Sequence, residues 1–380
     1  YEGALDADAD LIVDGLLGSG LERNVEGDFA KVVKQMNSHA ASILALDLPS
    51  GLHGDSGNVM GVAVRADITV TFVGLKSGLF LDGGTKHSGE IFFAGLDIPQ
   101  ECRAGETAIL RRIDDNILRK ALPRRKRSAH KGKFGHVVVV GGGPGMPGAV
   151  RLCGEAALRT GAGLVSIATH PDHSEQVPAG RPELMCHAVK HAADLEPLLD
   201  KATVVAVGPG LGQDEWAKEM LGAVLAVELP VVIDADALNL LADIETEHKD
   251  LILTPHPGEA GTLLGIDAAE VQADRRAALA GITEKFGGTV ILKGSGSLVS
   301  SKKSQPWLCS AGNPGMASPG MGDALTGIIA ALRAQKLSSE LAAVAGVQIH
   351  GRAGDSAAQA GERGLLATDL IAEIRTWVNR

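Results

Sequence analysis

Short apolar runs alternate with polar turns along the whole chain. In the first hundred residues, aliphatic and β-branched side chains cluster at 11–13, 43–46, 68–73 and 90–93, and a helical periodicity covers 28–39. A strand, a helix and a second strand at this spacing form a βα unit. The pattern therefore predicts a parallel sheet in the first quarter of the chain.

A second alternating series begins at His136. Its predicted strands, with helices between them, are 136–140, 163–168, 203–206, 230–234, 251–253 and 289–293. This alternation again favours a doubly wound α/β sheet. No repeated sequence period indicates a solenoid.

A basic segment separates the two series. Ten Lys or Arg residues lie between Arg111 and Lys133, four of them contiguous at 124–127. A nucleic-acid or phosphate-binding patch is one interpretation, but no aromatic residues interleave with the charges, which favours a solvated linker or helix end. The predicted organisation is a first domain at 1–105, a basic linker at 106–127 and a second domain at 128–380.

Composition narrows the class of protein. The 380 residues are 45% hydrophobic but only 3% aromatic, and they include 49 glycines, a mix typical of buried parallel strands joined by helices and glycine turns. No apolar run reaches the roughly 20 residues of a transmembrane helix, and a net charge of −10 argues against nucleic-acid partners. The four cysteines have no paired spacing, so a cytoplasmic protein without a zinc site is expected. The sequence starts at Tyr1 without Met, which leaves the native N-terminus and any targeting segment open.

Glycine-rich or polar turns follow most strands of the second series. Ligands bind at the carboxyl ends of the strands in such sheets, so these turns predict one shared crevice. In Gly320-Met321-Gly322-Asp323, a carboxylate stands at the mouth of a helix whose first turn has almost no side chains. Bare N–H groups and the positive end of the helix dipole favour anions there, although a simple helix cap is the alternative.

A dinucleotide-binding domain is a competing interpretation. Residues 143–148 satisfy the G-x-G-x-x-G pattern after a strand and before a helix, and Asp172 follows roughly where a ribose-binding carboxylate is expected. Pro144 and Pro147 stiffen this turn, however, and a Rossmann oxidoreductase leaves the turns at 255–259 and 320–323 without a role.

Taken together, the motifs resemble the ADP-dependent NAD(P)H-hydrate dehydratase family, whose fold is a ribokinase-like doubly wound α/β sheet. The matching segments, in the family's order, are 130–132, 141–149, 208–212, 234–238, 255–259, 293–294 and 320–323. In front of them, segments 13–20 and 47–51 resemble the second half of an NAD(P)H-hydrate epimerase domain, so an incomplete Rossmann-like α/β domain is expected there.

The resemblance implies a repair reaction on a damaged nicotinamide cofactor. The substrate is the S epimer of NADHX or NADPHX, in which water has added across a ring double bond, and the product is NADH or NADPH. Phosphorylation by ADP or ATP, with ADP favoured and Mg²⁺ accompanying the nucleotide, turns the hydroxyl into a better leaving group. A ribokinase-like kinase with a stable product and a non-enzymatic nucleotide sensor are the alternatives. Both ligands are small molecules, no nucleic acid or membrane partner is expected, and helical faces rich in Ala and Leu leave a homo-oligomer open.

The resemblance also implies roles for individual residues. Asp323 is expected to be the catalytic base, kept ionised by the helix dipole and therefore a weak base at rest. The residues expected to contact the hydrate are Gly148, Ala149, Gly210, His256 and Asp323. Those expected to contact the adenine nucleotide are Lys293, Gly294, Ser295, Gly296, Ser297 and Gly322.

In the epimerase-like half, the resemblance places substrate at Gly18, Ser19, Gly20, Leu21 and Asp47, and K⁺ at Asp14 and Ser50. The epimerase family's Asn-Asn-Gly-Gly-Asp-Gly phosphate loop does not occur in the chain, and the turn after Gly20 lacks the family's usual Pro. We therefore expect this half to be a truncated domain that is inactive as an epimerase and has an exposed sheet edge.

Overall fold

The structure, a computed structural model, describes residues 5–103, 105, 107–302 and 304–380, which belong to two compact units. The N-terminal unit takes the chain up to Leu110 together with Gln272–Asp274 and Gly294–Gly296; the C-terminal unit takes Arg111–Val271, Arg275–Lys293 and Ser297–Arg380. The finer domain boundaries drawn from the sequence stay a prediction.

The N-terminal unit is a four-stranded parallel sheet in the order β1-β2-β3-β4. Its elements are β1 Leu11–Asp14, α1 Gly27–Ser38, β2 Ser42–Leu46, β3 Ile68–Phe72, α2 Gly83–His87 and β4 Glu90–Ala94. One face buries Ile12, Ile43 and Ala45 with Val33 and Met36 of α1. The predicted strands and helix of this half are confirmed.

The opposite face of this sheet is apolar and exposed. The parallel register aligns alternate residues of neighbouring strands on one side. Leu11, Val13, Leu46, Ile68 and Phe92 are all exposed there, Leu11 to 53%. Strand β1 lies next to β2 at one edge of this sheet among the described residues.

The C-terminal unit is a ten-stranded mixed sheet in the order β5-β14-β13-β12-β11-β10-β9-β6-β7-β8. The strands are β5 Arg111–Arg112, β6 His136–Gly141, β7 Leu164–Thr169, β8 Met185–Ala188, β9 Val204–Val207, β10 Val231–Ile233, β11 Leu251–Leu253, β12 Thr289–Leu292, β13 Ser297–Ser301 and β14 Trp307–Cys309. The helices are α3 Asn116–Ala121, α4 Pro147–Thr160, α5 Ala192–Leu199, α6 Glu215–Leu225, α7 Asp236–Leu241, α8 Pro257–Leu264, α9 Ala268–Ala273, α10 Arg275–Phe286, α11 Met321–Ala334, α12 Ser339–Ala357 and α13 Ala367–Trp377.

From β12 to β8 the sheet is parallel, and all six strands predicted in this part of the chain are present. After β6, the chain adds β7 and β8 on one side of β6, and it then crosses back to add β9 on the other side. The neighbouring strands β6 and β9 therefore mark the topological switch point, at which such sheets bind ligands.

The predicted basic linker is in part folded, which corrects the sequence interpretation. Strand β5 pairs with β14, and α3 is tied to α12 because Asp115 accepts hydrogen bonds from Gln348 (2.7 Å) and Arg352 (2.9 Å). The Ile113 and Leu118 side chains are buried in the core of the unit. The segment is basic on its surface but carries enough apolar residues to dock.

Helix α11 is the centre of the core and sets the position of the candidate site. It is buried on nearly all sides between α4, α12 and the sheet. A Cβ on Gly327 would lie 2.0 Å from the backbone oxygen of Cys153 in α4, so only glycine allows this approach. Among the described residues, no helix is both long and apolar enough to cross a bilayer.

Candidate active site

The N-terminus of α11 is a turn that requires glycine. Gly320 has φ +87°, a left-handed conformation, and a Cβ there would lie 2.5 Å from Leu152 Cδ1. The helix starts at Met321, so its first N–H groups carry little side-chain cover. Asp323, in this first turn, is half-buried.

A buried carboxylate connects four elements beside this turn. Asp234, at the end of β10, is 1% exposed and accepts hydrogen bonds from Lys293 Nζ (2.8 Å), Thr254 Oγ1 (2.7 Å) and Thr326 Oγ1 (2.8 Å). Lys293 follows β12, Thr254 follows β11, and Thr326 lies one turn along α11 from Asp323. Asp234 therefore holds the lysine and the helix in a fixed relation.

The Asp234–Lys293 pair remains charged despite its burial. Burial opposes the charge on Lys293, but the carboxylates of Asp234 and Glu259, the latter 3.6 Å from Nζ, outweigh burial and raise the pKa of Lys293. Burial likewise opposes the charge of Asp234, yet Lys293 and the two threonine hydroxyls lower its pKa. Breaking such a pair leaves an uncompensated charge.

The pKa of Asp323 contradicts the sequence expectation. Burial, followed by the negative charge of Asp234, raises this pKa from 3.8 to about 6, although Lys293 acts in the opposite direction. A Cβ on Gly322 would lie 3.5 Å from both Asp234 Oδ2 and Lys293 Nζ, so the turn sits directly against the ion pair. The helix dipole is outweighed, and Asp323 is a stronger base than expected.

His256 caps α8 and faces solvent. Its Nδ1 accepts hydrogen bonds from the backbone N–H groups of Gly258 (3.0 Å) and Glu259 (3.1 Å), so the neutral ring carries its proton on Nε2. Nε2 lies 3.3 Å from Glu259 Oε1, and the side chain is 56% exposed. Glu259 thus links His256 to Lys293.

The glycine turns at the switch point pack on one another. The Gly143 N–H donates to the Gly210 carbonyl (2.7 Å), and a Cβ on Gly210 would lie 3.1 Å from Ala149 Cβ. A Cβ on Gly148 would have no neighbouring atom within 4 Å. The structure therefore places Gly210 against Ala149 at the start of α4, next to Gly148, and the contact of these residues with the hydrate stays a prediction.

Lys293 to Ser297 form the turn between β12 and the antiparallel β13. Gly294 and Gly296 have φ values of +147° and +72°, and Ser297 is the first residue of β13. Lys293 is brought next to Gly322. Gly294, Ser295 and Gly296 group with the N-terminal unit, and the nucleotide contacts of this turn stay a prediction.

In the N-terminal unit, the residues predicted to bind K⁺ are brought together. The buried Asp14 carboxylate accepts hydrogen bonds from Ser50 Oγ (2.6 Å) and from Ser50 N–H (2.7 Å). Asp47 has φ +68° and forms an ion pair with Lys76, whereas Gly18, Ser19 and Gly20 lie exposed with the half-buried Leu21 in the loop after β1. Within the described ranges, no cluster of three or more His, Cys, Asp or Glu could hold a metal.

The roles of Thr254, Glu259 and Thr326 were missed from the sequence. Thr326 carried a usable signal, since it follows Asp323 by three residues and such spacing places both on one face of a helix. The partnership of Asp234 with Lys293 had no local signal, because it joins strand ends that are distant in the sequence.

The fold defines a ribokinase-like α/β enzyme. A ribokinase-like superfamily protein from Enterococcus faecalis matches with a TM-score of 0.66 and 28% identity, covering 72% of this chain and 97% of that one. The ADP/ATP-dependent NAD(P)H-hydrate dehydratase from Bacillus subtilis, co-crystallised with ATP and Mg²⁺, matches with a TM-score of 0.65 and 27% identity, covering 71% and 98%.

Sequence relatives give the family. Residues 137–376 match the NAD(P)H-hydrate dehydratase family, and residues 2–78 match the YjeF-related protein N-terminus. The bifunctional NAD(P)H-hydrate repair enzyme of Coxiella burnetii is 50% identical over 97% of this chain and 76% of its own length, and that of Escherichia coli is 43% identical over 97% and 72%. This chain belongs to the NAD(P)H-hydrate dehydratase family.

The family assignment confirms the predicted fold class and enzyme class and removes the Rossmann oxidoreductase as an alternative. The match of residues 2–78 gives no support to the expectation that the front half is a truncated, inactive epimerase.

Proposed function

We propose that the C-terminal unit dehydrates the S epimer of NADHX and NADPHX, with ADP or ATP as the phosphoryl donor. The observation that carries this proposal is Asp323. It is a half-buried carboxylate whose pKa of about 6 suits a base at neutral pH, and it lies in a first helical turn that has no side-chain cap. Beside it, Asp234 holds the ammonium group of Lys293 in a fixed position.

In the first step, the hydroxyl oxygen of the hydrate attacks the terminal phosphorus of the nucleotide, and Asp323 accepts the hydroxyl proton. The bond from that phosphorus to the bridging oxygen breaks, and AMP or ADP leaves. The N–H groups of the Gly320–Asp323 turn would hold the oxygens of the transferring phosphoryl group, where developing charge is stabilised most effectively. Mg²⁺, held mainly by the nucleotide's phosphates and water, supplies charge neutralisation.

In the second step, the ring-nitrogen lone pair expels inorganic phosphate from the carbon that carried the hydroxyl. Loss of a proton from the neighbouring ring carbon restores the double bond of NADH or NADPH. The switch-point residues Gly148, Ala149 and Gly210, with His256 through its Nε2 proton, are proposed to orient the ring. The 293–297 turn is proposed to bind the adenine nucleotide.

The test is recovery of NADH absorbance when the protein is mixed with acid-hydrated NADH, Mg²⁺ and either ADP or ATP. The Asp323→Asn variant should lose roughly 100- to 10,000-fold in rate, the usual contribution of a general base. Asp369→Asn, which changes an exposed first-turn carboxylate of α13, is the matched control.

Failure of recovery with both nucleotides in a folded protein would contradict the proposal and favour a kinase with a stable product. Unchanged nucleotide binding, together with unchanged recovery in Asp323→Asn, would remove Asp323 from the mechanism.

For the N-terminal unit, we propose that Asp14 and Ser50 bind K⁺ and that Gly18–Leu21 and Asp47 contact an epimerase substrate. The proposal is supported by the burial of both residues and by the hydrogen bond that brings the Ser50 hydroxyl to the Asp14 carboxylate. K⁺, compared with choline at equal ionic strength, should raise the melting temperature, and Ser50→Ala should abolish this shift. An equal K⁺-dependent rise in the melting temperature of Ser50→Ala would contradict the site. Recovery that stops when one epimer is consumed would exclude epimerisation.

A further inference from the structure

A basic groove lies between α4 and α13. Its volume is about 490 Å³, and it is lined by Gly148, Arg151, Leu152, Arg159, Arg181 and Thr368, with Glu155 and two apolar residues of α13. Three arginines against one glutamate leave an excess of positive charge in a chain whose net charge is −10. Such a local reversal of sign attracts an anionic ligand.

The arginines are held in place with unused donors. Glu155 is buried, and its two oxygens bind Arg151 Nε (2.9 Å) and Arg181 Nη2 (3.2 Å), which sets two guanidinium groups side by side. Arg181 Nε is buried and has no hydrogen-bond partner within the part of the chain that the structure describes. Among the same residues, Arg159, one turn beyond Glu155, forms no ion pair. Planar guanidinium forks of this kind match phosphate oxygens.

One end of the groove adjoins the candidate active site. A Cβ on Gly320 would lie 2.5 Å from Leu152 Cδ1 and 3.1 Å from Ala367 Cβ, so α4 and α13 both contact the turn before Asp323. Gly148, proposed to contact the hydrate, lines the same groove. From Gly148 to Arg159 the helix rises roughly 16 Å, at 1.5 Å per residue. The groove therefore leads away from the reacting end toward a cluster of positive charge.

We propose that this groove binds the adenosine half of the hydrate dinucleotide, that Arg151, Arg159 and Arg181 bind its 2′-phosphate, and that NADPHX is therefore preferred over NADHX. This inference rests on the proposed dehydratase function and specifies its substrate. NADPHX carries a charged phosphate at the 2′-position of its adenosine half, where NADHX carries a hydroxyl. A bound phosphate needs several hydrogen-bond donors. The groove supplies donors without a second acidic residue to oppose it.

The first test compares kcat/KM for NADPHX and NADHX in three proteins. The wild type should prefer NADPHX, and Arg159→Gln should lose about tenfold with NADPHX but less than about twofold with NADHX, since only one substrate carries the charge. Arg159 does not hold Glu155, so this variant keeps the buried cluster intact. Arg375→Gln, exposed on α13 outside the groove, should change neither value.

The second test separates this groove from the phosphoryl-donor site and from the reaction itself. With ADP at saturation, calorimetry should detect binding of adenosine 2′,5′-bisphosphate but much weaker binding of AMP. Arg181→Lys, which keeps the charge and loses the fork, should weaken bisphosphate binding about tenfold.

The outcomes distinguish the two proposals. Bisphosphate binding that depends on the arginines, in a protein without dehydratase activity, would support the groove and refute the proposed function. Dehydration with equal efficiency on both hydrates, together with bisphosphate binding that is absent or displaced by ADP, would overturn the groove proposal.

Discussion

Replacing Asp323 with Asn is expected to stabilise the protein at neutral pH although it removes the proposed base. Folding moves this carboxylate from water to a half-buried position beside Asp234, and these effects raise its pKa from 3.8 to about 6. One pKa unit corresponds to about 1.4 kcal/mol, so the ionised Asp323 opposes folding by about 3 kcal/mol above pH 6. Asn has nearly the same size and no charge, and it avoids this penalty.

The expected gain in the stability of Asp323→Asn over the wild type increases with pH. Because the folded pKa is raised, the folded protein keeps the proton between pH 3.8 and about 6, whereas the unfolded chain releases it. The wild type therefore loses stability relative to Asp323→Asn as pH rises through this window. Below the window both side chains are neutral, and the two proteins should be equally stable.

Urea unfolding from pH 4 to pH 8, followed by circular dichroism, measures this difference. The control is Asp369→Asn, an exposed carboxylate in the first turn of α13, which should give no comparable gain. A stability gain that is the same at every pH would refute the electrostatic origin, and a loss of stability at pH 8 would do so as well.

Three further predictions follow from the same turn and its neighbours. The dehydration rate should fall about tenfold per pH unit below about pH 6, as Asp323 becomes protonated, and a pH-rate profile checks this. Asp234→Asn should lower the free energy of unfolding by about 3–5 kcal/mol, because Lys293 loses its nearest counter-charge. Thr326→Val should lower it by only about 1 kcal/mol, because one hydrogen bond is lost. Denaturation at pH 7 measures both values. Gly320→Ala should lower the free energy of unfolding by about 1–3 kcal/mol more than Gly361→Ala does. Both glycines have a positive φ, but of the two only Gly320 has no room for a Cβ.

Six strands of the parallel part of the fold could be predicted from the sequence because they are continuous apolar runs, such as Val137–Val140, separated by glycine turns. The parallel strand β8, Met185–Ala188, was missed because half of its residues are not aliphatic. The antiparallel strands β13 and β14 were missed, since Ser297–Ser301 is half polar and Trp307–Cys309 is too short for a pattern. The docking of the basic segment was missed because its charges mask the buried Ile113.

The position of Asp323 could also be predicted, since it depends on a local turn and the start of an apolar helix. Its pKa could not, because the deciding neighbour, Asp234, belongs to another strand end. The helix dipole is visible in the sequence, but burial and a distant carboxylate are tertiary effects that outweigh it here.

The open face of the N-terminal sheet has a thermodynamic consequence. Large side chains such as Leu11, Val13 and Phe92 are exposed in the folded chain of 380 residues, so unfolding this chain exposes less new apolar surface than the apolar content of the unit suggests. Newly exposed apolar surface dominates the heat-capacity increment of unfolding. The N-terminal unit should therefore contribute a smaller increment per residue than the C-terminal unit, and its stability should change less steeply with temperature.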